Sequence, residues 1–249
     1  WPEQFPDSGN AGQWDLVLAL KWLSANVAAF GGDPSRVMLF GQSGGGAKIA
    51  TLLATPSAAG LFHRVATMSG QQVTASGPLN ATSLAQAFLS AVCSPENPEA
   101  LLALPTEALL ECLDIRDPIN SERKLYFGPV FDNRMLPRHP FWPDAPQQSS
   151  HIPMILGNTK DETRNLIGRR EPDMFSLDWE ELPHHLARHM RCDIDPVLVA
   201  ETYRNSYPDM APSDVFFAAT TAERSWRGQV EEADARAGDL LPALRNVRR

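Results

Sequence analysis

A chain of 249 residues with 43% apolar content is long enough for one sizeable core, or for a core domain with an inserted subdomain. No apolar run approaches a membrane span, and a net charge of −8 argues against nucleic acid and anionic membrane surfaces as partners. Three cysteines, Cys93, Cys112 and Cys192, are too few for a disulfide framework and lack metal-site spacing.

In chain order, residues 1–11 read as loop, rich in Pro, Asp, Ser, Gly and Asn. Apolar side chains then recur at helical spacing from Gly12 to Phe30. Leu16, Leu20, Leu23, Val27 and Phe30 form one stripe, widened by Val17 and Ala19. Gly31-Gly32 ends this helix and Asp33-Pro34 starts a turn. Val37–Phe40 is a short apolar strand, and the run Gly41-Gln42-Ser43-Gly44-Gly45-Gly46 leads from it into a helix of small and apolar residues. Val65–Gly70 is a second strand, so helix and strand alternate as in a parallel sheet with covering helices. Residues 82–113 read as helical, with Thr106 able to cap a helix on its own. Phe127–Leu136 returns to short strands and turns. Ile152–Gly157 is a third strand, with Pro153 near its start, where a lost N–H matters least. Beyond Lys160-Asp161-Glu162 the pattern is helical over about 178–191, 196–206 and 213–237.

The glycine-rich turn carries the chemistry. Gly-x-Ser-x-Gly between a strand and a helix is the pattern of a nucleophile elbow. Gly41 and Gly45 would let the backbone turn sharply enough to expose Ser43, and the helix would aim its free N–H groups at the group attacked. A phosphate loop needs Gly-Lys-Ser/Thr, whereas Gly46 is followed by Ala47, Lys48 and Ile49. A dinucleotide fingerprint fails because Ile49 stands where its third glycine belongs.

Longer motifs extend the likeness. Gly9-Asn10-Ala11-Gly12, Asp15, Ala19-Leu20-Lys21-Trp22, Asn26 and Phe30-Gly31-Gly32-Asp33-Pro34 lead to Phe40-Gly41-Gln42-Ser43-Gly44-Gly45-Gly46. Gly60-Leu61-Phe62-His63-Arg64, Ser69-Gly70, Gly128-Pro129-Val130-Phe131-Asp132, Leu136–Phe141 and Lys160-Asp161-Glu162 follow in register. Up to about Gly238 the chain resembles the type-B carboxylesterase/lipase family, cholinesterase-like α/β-hydrolases, in its bacterial version. The resemblance implies an incomplete α/β-hydrolase fold over 1–249, with helical segments at about 82–125 and 170–237 outside the central sheet. It implies Ser43 as the nucleophile that forms an acyl-enzyme and the Gly44 N–H as an oxyanion donor. Glu162 aligns with the acid of the triad, ahead of its neighbour Asp161, and Ser69 with a serine beside that acid. The ordinary fate of a Lys-Asp-Glu triplet is a solvated face, but this one leaves an apolar strand at the end where α/β sites form.

The pattern breaks at the histidine. The family's triad histidine lies well C-terminal of the acid, and none of the six histidines stands in such a context. His63 and His139 fall at family positions outside the triad, and His151 lies at the wrong end of its strand. His184, His185 and His189 occupy a helical segment; His185 and His189 are spaced for a shared metal, but with no acidic third ligand nearby a plain helix face is expected. The family's His-Gly-Gly oxyanion loop lies upstream of Trp1, and beyond Gly238 the tail Asp239–Arg249 leaves the family pattern. A frameshift, an early stop or an incomplete gene model would each produce this. An unpaired strand edge in a partial sheet also favours poor solubility.

The expected parent activity is therefore hydrolysis of carboxylic esters, with this chain alone inactive. A non-catalytic binding relative and an inactive gene fragment are the alternatives. Gln42, where choline-ester hydrolases carry glutamate, removes a negative charge beside Ser43 and favours neutral short-chain or aryl esters. A small-molecule ester is the expected partner, and acyl transfer by a serine implies no cofactor and no metal. Localisation stays open: the chain begins Trp1-Pro2-Glu3 with neither initiator methionine nor signal segment, which is silent on targeting if the true N-terminus lies upstream.

Overall fold

A computed structural model describes residues 4–118, 124–190, 192 and 194–245, with the backbone alone at 113 and 239–245. Expectations for residues 1–3, for 119–123 within the helical segment at 82–125, for 191 and 193 within that at 170–237, and for the last four residues of the tail lie outside it.

Helix α1 covers Ala11–Asn26 and continues as a 3-10 turn over Val27–Phe30. Gly31 closes it at φ 78, a left-handed conformation that favours glycine. The buried stripe is narrower than the apolar spacing suggests. Val17 and Leu20 are buried with Gln13, while Ala19 and Phe30 face solvent. Phe30 lies on the 3-10 turn, whose tighter winding breaks the 3.6-residue register.

Strand β1 (Met38–Gln42) leads into α2 (Gly44–Leu53), and β2 (Arg64–Met68) follows. Helix α3 spans Pro78–Val92; a 3-10 turn over Pro98–Ala103 and α4 (Thr106–Glu111) continue the segment. Prolines 95, 98 and 105 divide it. Thr106 caps nothing: it is the first residue of α4, and Pro105 holds the cap position. Phe127–Leu136 forms no strand beyond an isolated bridge between Ser76 and Val130. Its turn is held instead by Asp132, whose Oδ1 accepts the N–H groups of Arg134, Met135 and Leu136 at 3.0, 3.0 and 2.9 Å. Strand β3 is Met154–Gly157 and α5 is Glu162–Leu166. Then come α6 (Leu182–His189), α7 (Pro196–Ser206) and α8 (Pro212–Thr221). A π-helical turn over Ala222–Trp226 passes into α9 (Arg227–Arg245).

The three strands are parallel in the order β1-β2-β3. Their register aligns Leu39, Val65 and Met154 on one face and Phe40, Ala66 and Ile155 on the other. Leu39, Val65 and Met154 join Val17, Leu20, Ile49, Leu52 and Leu53 in the main core. The opposite face is bare: Phe40 is 74% and Ile155 71% exposed, where a parallel sheet ordinarily carries helices on both sides. The covering helices expected of an alternating chain are thus present on one side only among the described residues.

A second core lies among the later helices, where Leu182, Leu186, Val215, Phe216 and Phe217 are fully buried. It is tied to the sheet end through α5. The Thr163 hydroxyl meets those of Thr220 and Thr221 at 2.8 Å each and donates to the Phe217 carbonyl at 3.0 Å. Arg164 reaches Asp214 at 2.7 Å.

Candidate active site

Strand register builds the site. Gln42, Met68 and Gly157 are aligned neighbours at the carboxyl ends of β1, β2 and β3, so the residues that follow them emerge side by side. The ladder extends one step further: the Ser43 N–H donates to the Met68 carbonyl at 2.8 Å, and the Ser69 N–H to the Gly157 carbonyl at 2.7 Å.

Ser43 is strained, at φ 53 and ψ −124, outside the regions that a residue with a Cβ ordinarily adopts. Such strain persists only where the surroundings over-determine it, and here close backbone crossings do so. A Cβ on Gly41 would lie 2.5 Å from the Gly45 carbonyl carbon. One on Gly46 would lie 2.8 Å from the Gly70 oxygen, and one on Gly70 1.9 Å from the Ser43 oxygen. The essential glycines are therefore Gly41, Gly46 and Gly70. Gly45, expected to enable the turn, has open space where a side chain would go and no positive φ.

Gly44 is the first residue of α2, so its N–H belongs to the first-turn donors that have no partner within the helix. Gln42 ends β1 with its side chain exposed.

Glu162 opens α5. Its Oε1 accepts the Ser69 hydroxyl at 2.5 Å and the Thr159 N–H at 2.7 Å. Asp161 is engaged elsewhere, its Oδ1 lying 3.4 Å from Arg164 Nε. Ser69 holds φ 51, which turns its hydroxyl toward residues 93 positions away in sequence. Gln42, Ser43, Ser69 and Glu162 share the lining of one cavity of about 740 Å³. Replacing Ser69 with alanine removes one of the two hydrogen bonds on a half-buried carboxylate, so a loss of about 1 kcal/mol is expected in urea unfolding. Asp161→Asn, at a partly exposed pair, is expected to stay within about 0.5 kcal/mol.

All six histidines are described, and none lines that cavity. His63 Nδ1 accepts the Val37 N–H at 3.2 Å and His139 Nδ1 the Ala75 N–H at 3.0 Å, so both brace the backbone. His151 and His184 face solvent. His189 does not lie on a plain helix face: its ring packs edge-on against Phe216, with Nε2 3.3 Å from Glu171 Oε2. Burial is the main influence on it and lowers its pKa, with Glu171 pulling the other way. The missing acidic neighbour is thus supplied from a distant turn, although no group of three metal-binding side chains forms among the described residues.

Two contributors escaped sequence reasoning. Thr159 acts through its backbone N–H, which leaves no side-chain signal. Gly70 was visible as the end of a strand and as part of the Ser69-Gly70 match, but its contact with the elbow backbone was not.

The model of the carboxylesterase family matches residues 6–207. This chain belongs to the carboxylesterase family. It is 39% identical over 158 residues to a para-nitrobenzyl esterase of Bacillus subtilis, covering 62% of this chain and 32% of that protein. To a phenmedipham hydrolase of Pseudarthrobacter oxydans it is 36% identical over 159 residues, with the same coverage of 62% and 32%. The crystal structure of the Geobacillus stearothermophilus carboxylesterase EST55 at pH 6.2 superposes with a TM-score of 0.75 at 32% identity, covering 93% of this chain and 47% of that one. The chain spans about a third of the length of these curated relatives and about half of the solved structure. Its fold is the α/β-hydrolase fold, represented by the three-stranded parallel part around the elbow. No helix among the described residues is long and apolar enough to cross a membrane.

Proposed function

We propose that this carboxylesterase chain carries the nucleophile and acid of a serine ester hydrolase, Ser43 and Glu162, without a base to join them. The single observation that carries the reading is the shared cavity. A strained serine on a strand–helix elbow faces the same space as a carboxylate held by Ser69 and the Thr159 N–H. A base oriented by Glu162 would take the Ser43 proton as the hydroxyl oxygen attacks the ester carbonyl. The oxyanion that develops would then meet the Gly44 N–H at the positive end of α2. Collapse would expel the alcohol and leave Ser43 acylated, and water would release the acid.

Neutral short-chain or aryl esters are the proposed substrates. Gln42 puts no charge beside the nucleophile, and a para-nitrobenzyl esterase among the relatives is in keeping with an uncharged aromatic alcohol.

The chain by itself is expected to be inactive, since removing the base of such a triad costs about 10⁶ in kcat. Free imidazole supplies the decisive test. With p-nitrophenyl acetate alone, the purified chain should match Ser43→Ala. With imidazole added, one acetyl group should appear on Ser43 by mass spectrometry, more slowly in Glu162→Gln and never in Ser43→Ala. Turnover without imidazole that depends on Ser43 would refute the missing base, and no acetylation with imidazole would refute the nucleophile. The placement of every histidine away from the cavity also favours a non-catalytic relative of the fold, and this second outcome is its signature.

A further inference from the structure

Glu232, on α9, is fully buried. Its Oε1 accepts the N–H of Gln72 at 2.6 Å, and its Oε2 has no partner. An ionised carboxylate with one oxygen unpartnered in a buried site is costly, whereas the neutral acid is tolerated there. Gln72 stands three residues after Ser69 and lines a cavity of about 250 Å³ beside Gly44 and Lys48. A second contact lies nearby: a Cβ on Gly228 would come within 3.1 Å of Gln71 Cβ. Helix α9 therefore grips the segment that leaves Ser69 and walls the cavity at the start of α2.

We infer that Glu232 is a proton-controlled latch: in its neutral form it holds α9 against the segment Gln71–Val73, and on ionisation it lets that contact open. The inference does not depend on the esterase reading, because its test reads exchange and carboxyl titration rather than turnover.

The groups around Glu232 leave burial as the main influence. The facing segment Gly70–Val73 and strand β3, which also packs on α9, carry no ionisable side chain. On α9, Glu231 pairs with Arg227 at 3.4 Å, Asp234 is exposed, and Arg236 donates to the carbonyls of Ser149 and Ile152. Glu223 and Arg224 lie in the preceding π-helical turn, and Lys48 shares the cavity that Gln72 lines. In this setting burial raises the Glu232 pKa from an ordinary 4.5 to about 7, against the opposing effect of the Gln72 N–H. A carboxyl raised on folding stabilises the closed contact fully below about 4.5, and that stabilisation is lost as pH rises through about 7.

Hydrogen–deuterium exchange over residues 227–238, corrected for intrinsic chemistry, tests this. The opening population should rise about 30-fold from about pH 5.5 to about pH 8 in the native chain and stay within about twofold in Glu232→Gln. Gly228→Ala, which crowds the neighbouring contact without touching a titratable group, should raise exchange equally at both pH values. Carbon-13 titration of the glutamate carboxyls in the unsubstituted chain should show one midpoint near 7, and exchange over 227–238 in that chain should rise through the same midpoint, a coincidence that tests the latch even if Glu232→Gln fails to fold. No glutamate midpoint above about 6, or an unchanged pH slope in Glu232→Gln, overturns the latch.

Discussion

Replacing Gly70 with alanine is expected to cost at least about 3 kcal/mol in urea unfolding and to dismantle the elbow. The new Cβ would sit 1.9 Å from the Ser43 oxygen, 2.9 Å from the Ser43 carbonyl carbon and 3.0 Å from the Ala47 nitrogen. All three are backbone atoms, and that oxygen already accepts the Ala47 N–H at 3.1 Å in the first turn of α2. A side-chain clash could relax by changing rotamer, but relief here requires β2 to part from the elbow. That movement breaks the bond from the Ser43 N–H to Met68. Gly45→Ala is the control. Nothing lies within 4 Å of its Cβ, and a helical glycine replaced by alanine gains roughly 0.5–1 kcal/mol. Equal losses in the two variants would show that the crossing of β2 and the elbow does not hold Ser43.

Phe217→Ala is expected to lose about 3–5 kcal/mol, the range for removing a buried aromatic ring. In a domain of this size that lowers the melting temperature by about 10 °C. Phe217 is fully buried, with ring centres 5.2 Å from Phe216 and 4.9 Å from Phe175. The Arg164 guanidinium lies 4.8 Å from its ring centre and Thr163 donates to its carbonyl, so the residue also anchors α5, which carries Glu162. Leu79→Ala, at a side chain 86% exposed, should change stability by less than about 0.5 kcal/mol. A loss below about 1 kcal/mol in Phe217→Ala would mean that the later helices do not share a cooperative core with the sheet end.

The elements themselves were largely legible in the residues. The β1 and β3 strands, the break at Gly31 and the start of α7 at Pro196 follow from short apolar runs, glycine and proline, which act within a few residues. Asp195 fits the same logic, since it caps α7 by accepting the Val197 N–H at 2.9 Å. Errors arose where periodicity was read past its local limit. Phe30 repeats at helical spacing, yet it sits on a 3-10 turn and is 78% exposed. Thr106 has a capping side chain, but the preceding proline already holds the cap position.

Sequence by itself determined the strand–elbow–helix unit, the presence of Ser43 at its apex and the family, because these depend on adjacent residues in order. Only the tertiary structure decided that the Thr159 N–H also holds Glu162, which glycines have no room for a side chain, and that one face of the sheet is bare. It also brought Glu171 to His189 and buried Glu232 against Gln72. Apart from the Thr159 bond, each of these is an approach between segments far apart in the chain, set by strand register and by helices closing on a core. A local pattern of residue types carries no information on such distances.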